Sequence, residues 1–297
     1  MSPDAYDTDA WKVIVIITAC SLLSTVIVGL RFYVRLVITR KFGNEEWALA
    51  AALATYFISV SLILVCVKYG LGQHFYTLST RERSQFLKFM WIASTAYGAI
   101  IMLIKATFLL QYRRVFPLPS FQRVCDIFLA FIAAWALAGT IGAFLHCRPL
   151  IRNWDPAEPT GCAERIDFWL SMGILHVISD VLIFLLPLPL LRTLPLPKLQ
   201  KGVLMAVFSL GFFTCAISII RLTTLHASTS SDDPTWINVN TVVWSVAEVT
   251  CAIFCACIPT LRPLLRYSTG WRRHLYDPSD LKVEQTSREG NTRMCES

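Results

Sequence analysis

Charge is scarce in this chain. Only 16% of its 297 residues are Asp, Glu, Lys or Arg, where a soluble domain carries roughly 25%. That shortage excludes an ordinary water-soluble domain. With 55% hydrophobic residues and a mean hydropathy of +0.54, it points to a membrane protein. The opening MSPDAYDTDAWK is acidic and lacks the basic region of a secretory leader, so no cleavable leader is expected and Val13–Leu30 reads as a retained helix. Asn-x-Ser/Thr sequons are absent, so the sequence carries no glycosylation mark of an outer face. No internal repeat stands out, which leaves an inverted-repeat transporter without support. The formal charge of +7 does not mark a nucleic-acid partner. Lys and Arg sit in short clusters between apolar runs, which is the membrane pattern.

What the chain does have is long apolar runs. Spanning a bilayer takes about 20 mostly apolar residues in a helix. Runs of that kind lie at about 12–31, 48–68, 88–111, 124–146, 168–191, 202–224 and 237–259. They are too long for barrel strands, and lipid offers no partner to an open backbone group. The expected fold class is therefore all-α, a seven-helix transmembrane bundle. Seventeen of the 27 Lys and Arg fall in the first, third and fifth connections and the tail. The positive-inside rule then puts the N-terminus outside and the C-terminus in the cytoplasm. The expected division is an outer N-terminus at 1–11, a membrane domain at 12–265 and a polar, unstructured cytoplasmic tail at 266–297. The expected setting is a lipid bilayer, crossed many times, either the plasma membrane or an endomembrane.

Local signals mark several ends. Ser79 and Glu82 in STRE fit a capping box. DDPT offers Asp233 as N-cap with Pro234 at the first helical position. The prolines of LPLP at 186–189 and again at 194–197 end the fifth span and stiffen the next connection. Cys147 and Cys162 bound the fourth connection, CRPLIRNWDPAEPTGC, on the oxidising side, and a disulfide between them is expected. Two unpaired thiols are the alternative.

The few charges inside the spans carry the most information. Lys105, Asp180, Arg221 and Glu248 fall on four different runs, and His146 and His176 add titratable groups. Buried charges in membranes usually face the bundle interior and pair. At ~1.5 Å per residue, Lys105 lies roughly 10 Å and Asp180 roughly 16 Å from the inner ends of their spans, within a lysine's reach. Lys105–Asp180 is therefore the preferred pair. Glu248 reads as a midplane carboxylate, and Arg221, about a turn from the outer end, as a candidate for snorkelling. Three roles are open for these groups: fixing helix register, giving polarity to a ligand pocket, or acid–base chemistry. His176 and Asp180 share a face at i, i+4. Two ligands are too few to argue a metal. The seventh run, WINVNTVVWSVAEVTCAIFCACIP, holds no lysine, so no retinal Schiff base is expected there. QYRRV at 111–115 resembles in position the D/E-R-Y box of G-protein-coupled receptors, with the acidic residue missing.

Taken in order, RFYVR at 31–35, NEEW at 44–47, GLGQH at 70–74, Lys105 with YRRVF, CRPLIRNW with Cys162, Asp180 with LPLPLL, and Arg221 resemble one family. It is the fungal rhodopsin-domain integral membrane proteins, which include the satratoxin-cluster membrane-protein group and relatives of the Pth-type fungal receptors. The resemblance covers about residues 12 to 265. Glu45 and Glu46 stand where the family usually has two aspartates. The resemblance implies a fungal membrane protein of a family whose molecular role is often undefined, with some members encoded beside secondary-metabolite enzymes, and it says more about shape than activity. The reading is a protein that binds or senses a small apolar ligand, with a cytoplasmic signalling partner and without a cofactor, rather than an enzyme. An accessory role in secondary metabolism fits it. The alternatives are an intramembrane cyclase-like enzyme using Asp180 or Glu248 as acid, and a metabolite transporter or tolerance factor.

Overall fold

The computed structural model describes residues 10–40, 42–145, 154, 165–189, 198–229 and 233–261. Cys147, Cys162, His146 and the tail lie outside the described residues. Among the described residues there are seven long helices: α1 (Ala10–Tyr33), α2 (Asn44–Lys68), α3 (Thr80–Val115), α4 (Pro119–Leu145), α5 (Arg165–Leu185), α6 (Lys198–Thr229) and α7 (Pro234–Cys257). No strand occurs among the described residues. Six of the helices, all but α5, are long and apolar enough to cross a membrane, and α5 has a shorter apolar stretch at Trp169–Leu185. The 36 residues of α3 make a rod of roughly 54 Å, longer than a hydrocarbon core of about 30 Å.

The packing is that of a membrane bundle. Ile127, Phe131, Leu137 and Ile141 of α4 face outward, as do Leu22 and Val26 of α1. Polar side chains such as Ser24, Thr107, Gln111 and Ser218 are buried between helices. That distribution suits lipid, where apolar side chains need not hide and polar ones need partners. α7 is the most enclosed helix, flanked by α1 and α6, while α2 packs along α3, and α4 lies on the outer side of α3. Ile17 and Val28 of α1, Leu49 and Tyr56 of α2, Ile100 and Ile104 of α3 and Val246 and Ile253 of α7 form one apolar core.

The helix ends follow from local chemistry. Ser79 caps α3: its hydroxyl accepts from Glu82 N–H at 3.4 Å, and the Glu82 carboxylate accepts from Ser79 N–H at 2.9 Å. This is the reciprocal pairing of a capping box. α5 stops at Leu185, six residues before its apolar run ends at Leu191, because Pro187 disfavours helix at the residue before it and clashes with the turn below. α1 continues past Tyr33 into a π-helical turn, Val34–Ile38, closed by Thr39 N–H to Val34 O at 2.8 Å.

GLGQH makes a compact knot after α2. Gly70 and Gly72 have φ of +106° and +88°, a region that side-chain-bearing residues rarely enter. A Cβ on Gly70 would also lie 2.5 Å from Leu78. Between them Leu71 is fully buried, and Gly72 N–H reaches Thr235 O at 3.1 Å. The turn delivers His74 onto the Trp236 ring, centroids 4.6 Å apart. It also sets His74 Nδ1 2.6 Å from Asp233 Oδ2, and Phe75 N–H donates to Asp233 Oδ1 at 2.9 Å. Asp233 stands before Pro234 as expected, yet its side chain makes no cap bond to α7. The donors of the opposite loop have taken it instead.

Partial burial pushes the Asp233 carboxyl up, but hydrogen bonds from His74, Phe75 N–H and the Thr235 hydroxyl hold it below its ordinary value. A depressed folded pKa adds stability that is fully present above the unfolded pKa and is lost as pH falls through the folded one. The half-exposed setting limits the effect to about 1 kcal/mol. Thermal unfolding in detergent should therefore show Asp233→Asn below the parent at neutral pH and level with it under strongly acid conditions. A constant gap at every pH would contradict this role.

Candidate functional site

The charges singled out in the sequence meet at one place. His176, Ser179 and Asp180 share a face of α5 at i, i+3 and i+4, and Ser218 and Arg221 share a face of α6 at i, i+3. Lys105 comes from α3 and Glu248 from α7. Lys105 Nζ lies 3.1 Å from Asp180 Oδ1, donates to His176 O at 2.9 Å and also contacts Ser179 Oγ. Arg221 Nε lies 3.0 Å from Glu248 Oε2, which also accepts from Tyr97 OH at 2.7 Å. The other Glu248 oxygen faces His176 Nε2 at 2.7 Å and takes the Ser218 hydroxyl. His176 Nδ1 is 3.4 Å from Asp180 Oδ2, and Ser218 Oγ is 3.3 Å from the same oxygen. Two cations thus face two anions, with an imidazole between the carboxylates. All five charged or titratable residues are at most 8% exposed. Arg221, a candidate for snorkelling, turns inward to Glu248 and covers the Tyr97 ring at 4.7 Å.

Burying an ion costs several kcal/mol, and only good geometry with added hydrogen bonds repays it. Here each carboxylate has a cation and at least one neutral donor. Ligand atoms of His176, Asp180 and Glu248 lie within 4.8 Å of one another, so α7 supplies the third group that the α5 pair lacked. Both carboxylates, however, already face a protein cation, so a divalent ion would bring excess positive charge into this centre.

A cavity of about 490 Å³ opens beside the centre, among α2 to α7. That volume is in the range of small-molecule sites, ~300–1,000 Å³. Its walls are mainly apolar, with Met90, Gly98, Met102, Trp135 and Trp169 among them. The polar centre reaches it through Tyr97, His176 and Arg221. Lys105, Asp180 and Glu248 border instead a separate space of about 20 Å³, enough for one water. Where α4 and α5 flank the cavity, Trp135 Nε1 donates to Met172 Sδ at 3.1 Å.

A second polar cluster lies at the other ends of α1, α2 and α3. Arg31 is fully buried, with its guanidinium on Glu46 at 3.3 Å, Gln111 Oε1 at 3.2 Å and Ala256 O. Arg35 Nε lies 2.9 Å from Glu46, and Arg114 contacts Glu45. The acidic partner absent beside Arg113 and Arg114 in the sequence thus arrives from α2, while Arg113 pairs with Asp126 of α4 at 2.9 Å. Sequence reasoning treated Arg31 and Arg35 as inner-face anchors and missed the cluster. The signal was present: two arginines at i, i+4, a short connection, then two adjacent glutamates. Tyr97, Ser179 and Ser218 were also missed, though Ser179 adjoins Asp180 and Ser218 lies one turn before Arg221.

The sequence matches the family model described as the fungal rhodopsin domain over residues 30–267. It is similar to the polyenoic acids biosynthesis gene cluster protein Ba17b of Metarhizium anisopliae, 24% identical over 97% of this chain and 84% of that protein. It is also similar to a SAT4 family membrane protein of Emericella nidulans, 27% identical over 71% of this chain and 54% of that protein. Receptor GIN3 of Arthrobotrys oligospora is 24% identical over 82% of this chain and 60% of that protein. The chain therefore spans little more than half the length of the last two. No solved structure matches.

Proposed function

Because the chain belongs to the fungal rhodopsin domain family, we propose that it is a seven-helix, receptor-like membrane protein that binds a small, largely apolar ligand. α5 serves as the fifth of seven spans. The excess of Lys and Arg in alternate connections supports an outer N-terminus and a cytoplasmic tail. In that orientation the Arg31–Glu46–Arg114 cluster lies at the cytoplasmic end, where a signalling partner would dock. The observation that carries the reading is the cavity of about 490 Å³, apolar in its walls and bordered by His176 and Arg221. Relatives named for biosynthetic clusters and for a receptor favour a ligand drawn from secondary metabolism.

The cyclase-like alternative needs a protonated acid facing its substrate. Asp180 and Glu248 do not line the main cavity, and each is held by a cation and a hydroxyl. Binding fits this arrangement better than acid catalysis.

Gly98 lines the cavity, and a Cβ placed on it meets no atom within 4 Å. Gly98→Leu should fill the space and keep the fold. In lipid nanodiscs, apolar metabolites extracted from a producing fungal culture should raise the unfolding temperature of the parent. They should leave Gly98→Leu unchanged. An equal rise in both, or none in the parent, would contradict the reading.

A further inference from the structure

We propose that the ligand of this cavity is a monocarboxylic acid whose carboxylate seats on Arg221. The inference rests on the cavity being a ligand site. Arg221 is 6% exposed and lines the cavity. Its contact with Glu248 is made through Nε, and the face of the guanidinium covers Tyr97. Among the described residues no hydrogen bond from the Arg221 guanidinium is formed: Nε, although 3.0 Å from Glu248 Oε2 as an ion pair, is buried without one, and neither terminal nitrogen makes one. Across the cavity wall on α7, Thr241 is 9% exposed and its hydroxyl is likewise without a partner among the described residues. An unengaged buried donor is costly, and a charged one more so. Arg221 can only donate and the Thr241 hydroxyl can donate, so both cavity-lining groups can serve an acceptor on a ligand.

The acceptors of the centre are already engaged. Glu248 takes Tyr97, His176 and Ser218, and Asp180 takes Lys105 and Ser218. Neither carboxylate lines the main cavity. A cationic ligand would meet Arg221 and find no free counter-charge. A neutral acceptor could take one bond. A carboxylate matches the planar fork of an arginine with two parallel bonds, the strongest arrangement such a donor pair offers. Glu248 does not rely on Arg221 alone, so the guanidinium can serve both anions. The remaining walls are apolar, and the body of the acid is accordingly hydrocarbon or aromatic.

The test compares dodecanoate with methyl dodecanoate, which share a tail and differ in the charge of the head. Binding to the full chain in nanodiscs is followed by native mass spectrometry, with concentrations expressed per lipid. The acid should bind about 10–100-fold more tightly than the ester, the range for hydrogen bonds to a charged group. The double variant Arg221→Gln/Glu248→Gln, which removes the pair together and keeps the net charge, should lose that preference and retain the ester. Thr241→Val leaves the ion pair untouched and should weaken the acid alone, so the test stands even where the double variant fails to fold. Equal affinity for acid and ester, or a preference that survives without Arg221, would overturn the carboxylate assignment and leave the cavity a ligand site. Binding of neither probe would overturn it too, while the Gly98→Leu comparison separately decides whether the cavity takes a ligand at all.

Discussion

A single Glu46→Leu substitution should destabilise the folded protein by about 3–5 kcal/mol, the usual cost of removing one partner from a buried ion pair. Glu46 and Arg31 are both fully enclosed, and Arg35 leans on the same carboxylate. Without Glu46 the Arg31 guanidinium would keep only the neutral acceptors Gln111 and Ala256 O. The charge could not leave easily, because an arginine stays protonated in any protein setting. It would have to drag α1 away from α3 and α7 to reach water. Arg31→Met alone should cost less, since Glu46 keeps contacts with Arg35 and Arg114. Adding Arg31→Met to Glu46→Leu should recover part of the loss, as apolar replacements of buried pairs often do. Folded yield after size exclusion and the unfolding midpoint in detergent measure all three. A Glu46→Leu protein as stable as the parent would mean that the cluster does not hold these helices together.

Much of the bundle was legible because lipid imposes simple rules. A helix must be long and apolar, and the runs at 48–68 and 124–146 needed no tertiary context to be seen. Their ends were legible where the chemistry is local, as at Ser79 and Pro187. Asp233 shows the limit: its position before Pro234 could be read, but a histidine some 160 positions away in sequence decides what its carboxylate does. Lys105, Asp180, Arg221 and Glu248 stood out because a charge inside an apolar run is costly and rare. Depth along straight helices brought Lys105 to Asp180, yet it placed Arg221 near an interface. Depth says nothing of rotation about the helix axis, and rotation turns Arg221 to Glu248.

The rest was hidden for two physical reasons. Arg31 and Arg114 sit at helix ends, where a basic residue is already explained by the membrane surface, so their burial left no separate trace. Tyr97, Ser179 and Ser218 are uncharged, and a serine or tyrosine in a span is common. The cavity has no linear signal at all. It arises where Gly98 of α3 leaves space that neighbouring side chains do not fill.

Lys105 and Asp180 meet as a pair in the polar centre beside the cavity, and a double-mutant cycle measures that directly. The side chains of Lys105 and Asp180 are 4% and 11% exposed, with 3.1 Å between Nζ and Oδ1. Lys105→Met leaves Asp180 facing His176 and Ser218 without a lysine, and Asp180→Asn leaves a nearly dry ammonium whose direct contacts, His176 O and Ser179 Oγ, are neutral. Each should lower the unfolding free energy by about 3–5 kcal/mol. The double variant should be more stable than the sum of the two losses allows, by at least ~1 kcal/mol, the size of coupling expected for residues in contact. Strict additivity would contradict the pairing and leave Lys105 a solitary cation within α3.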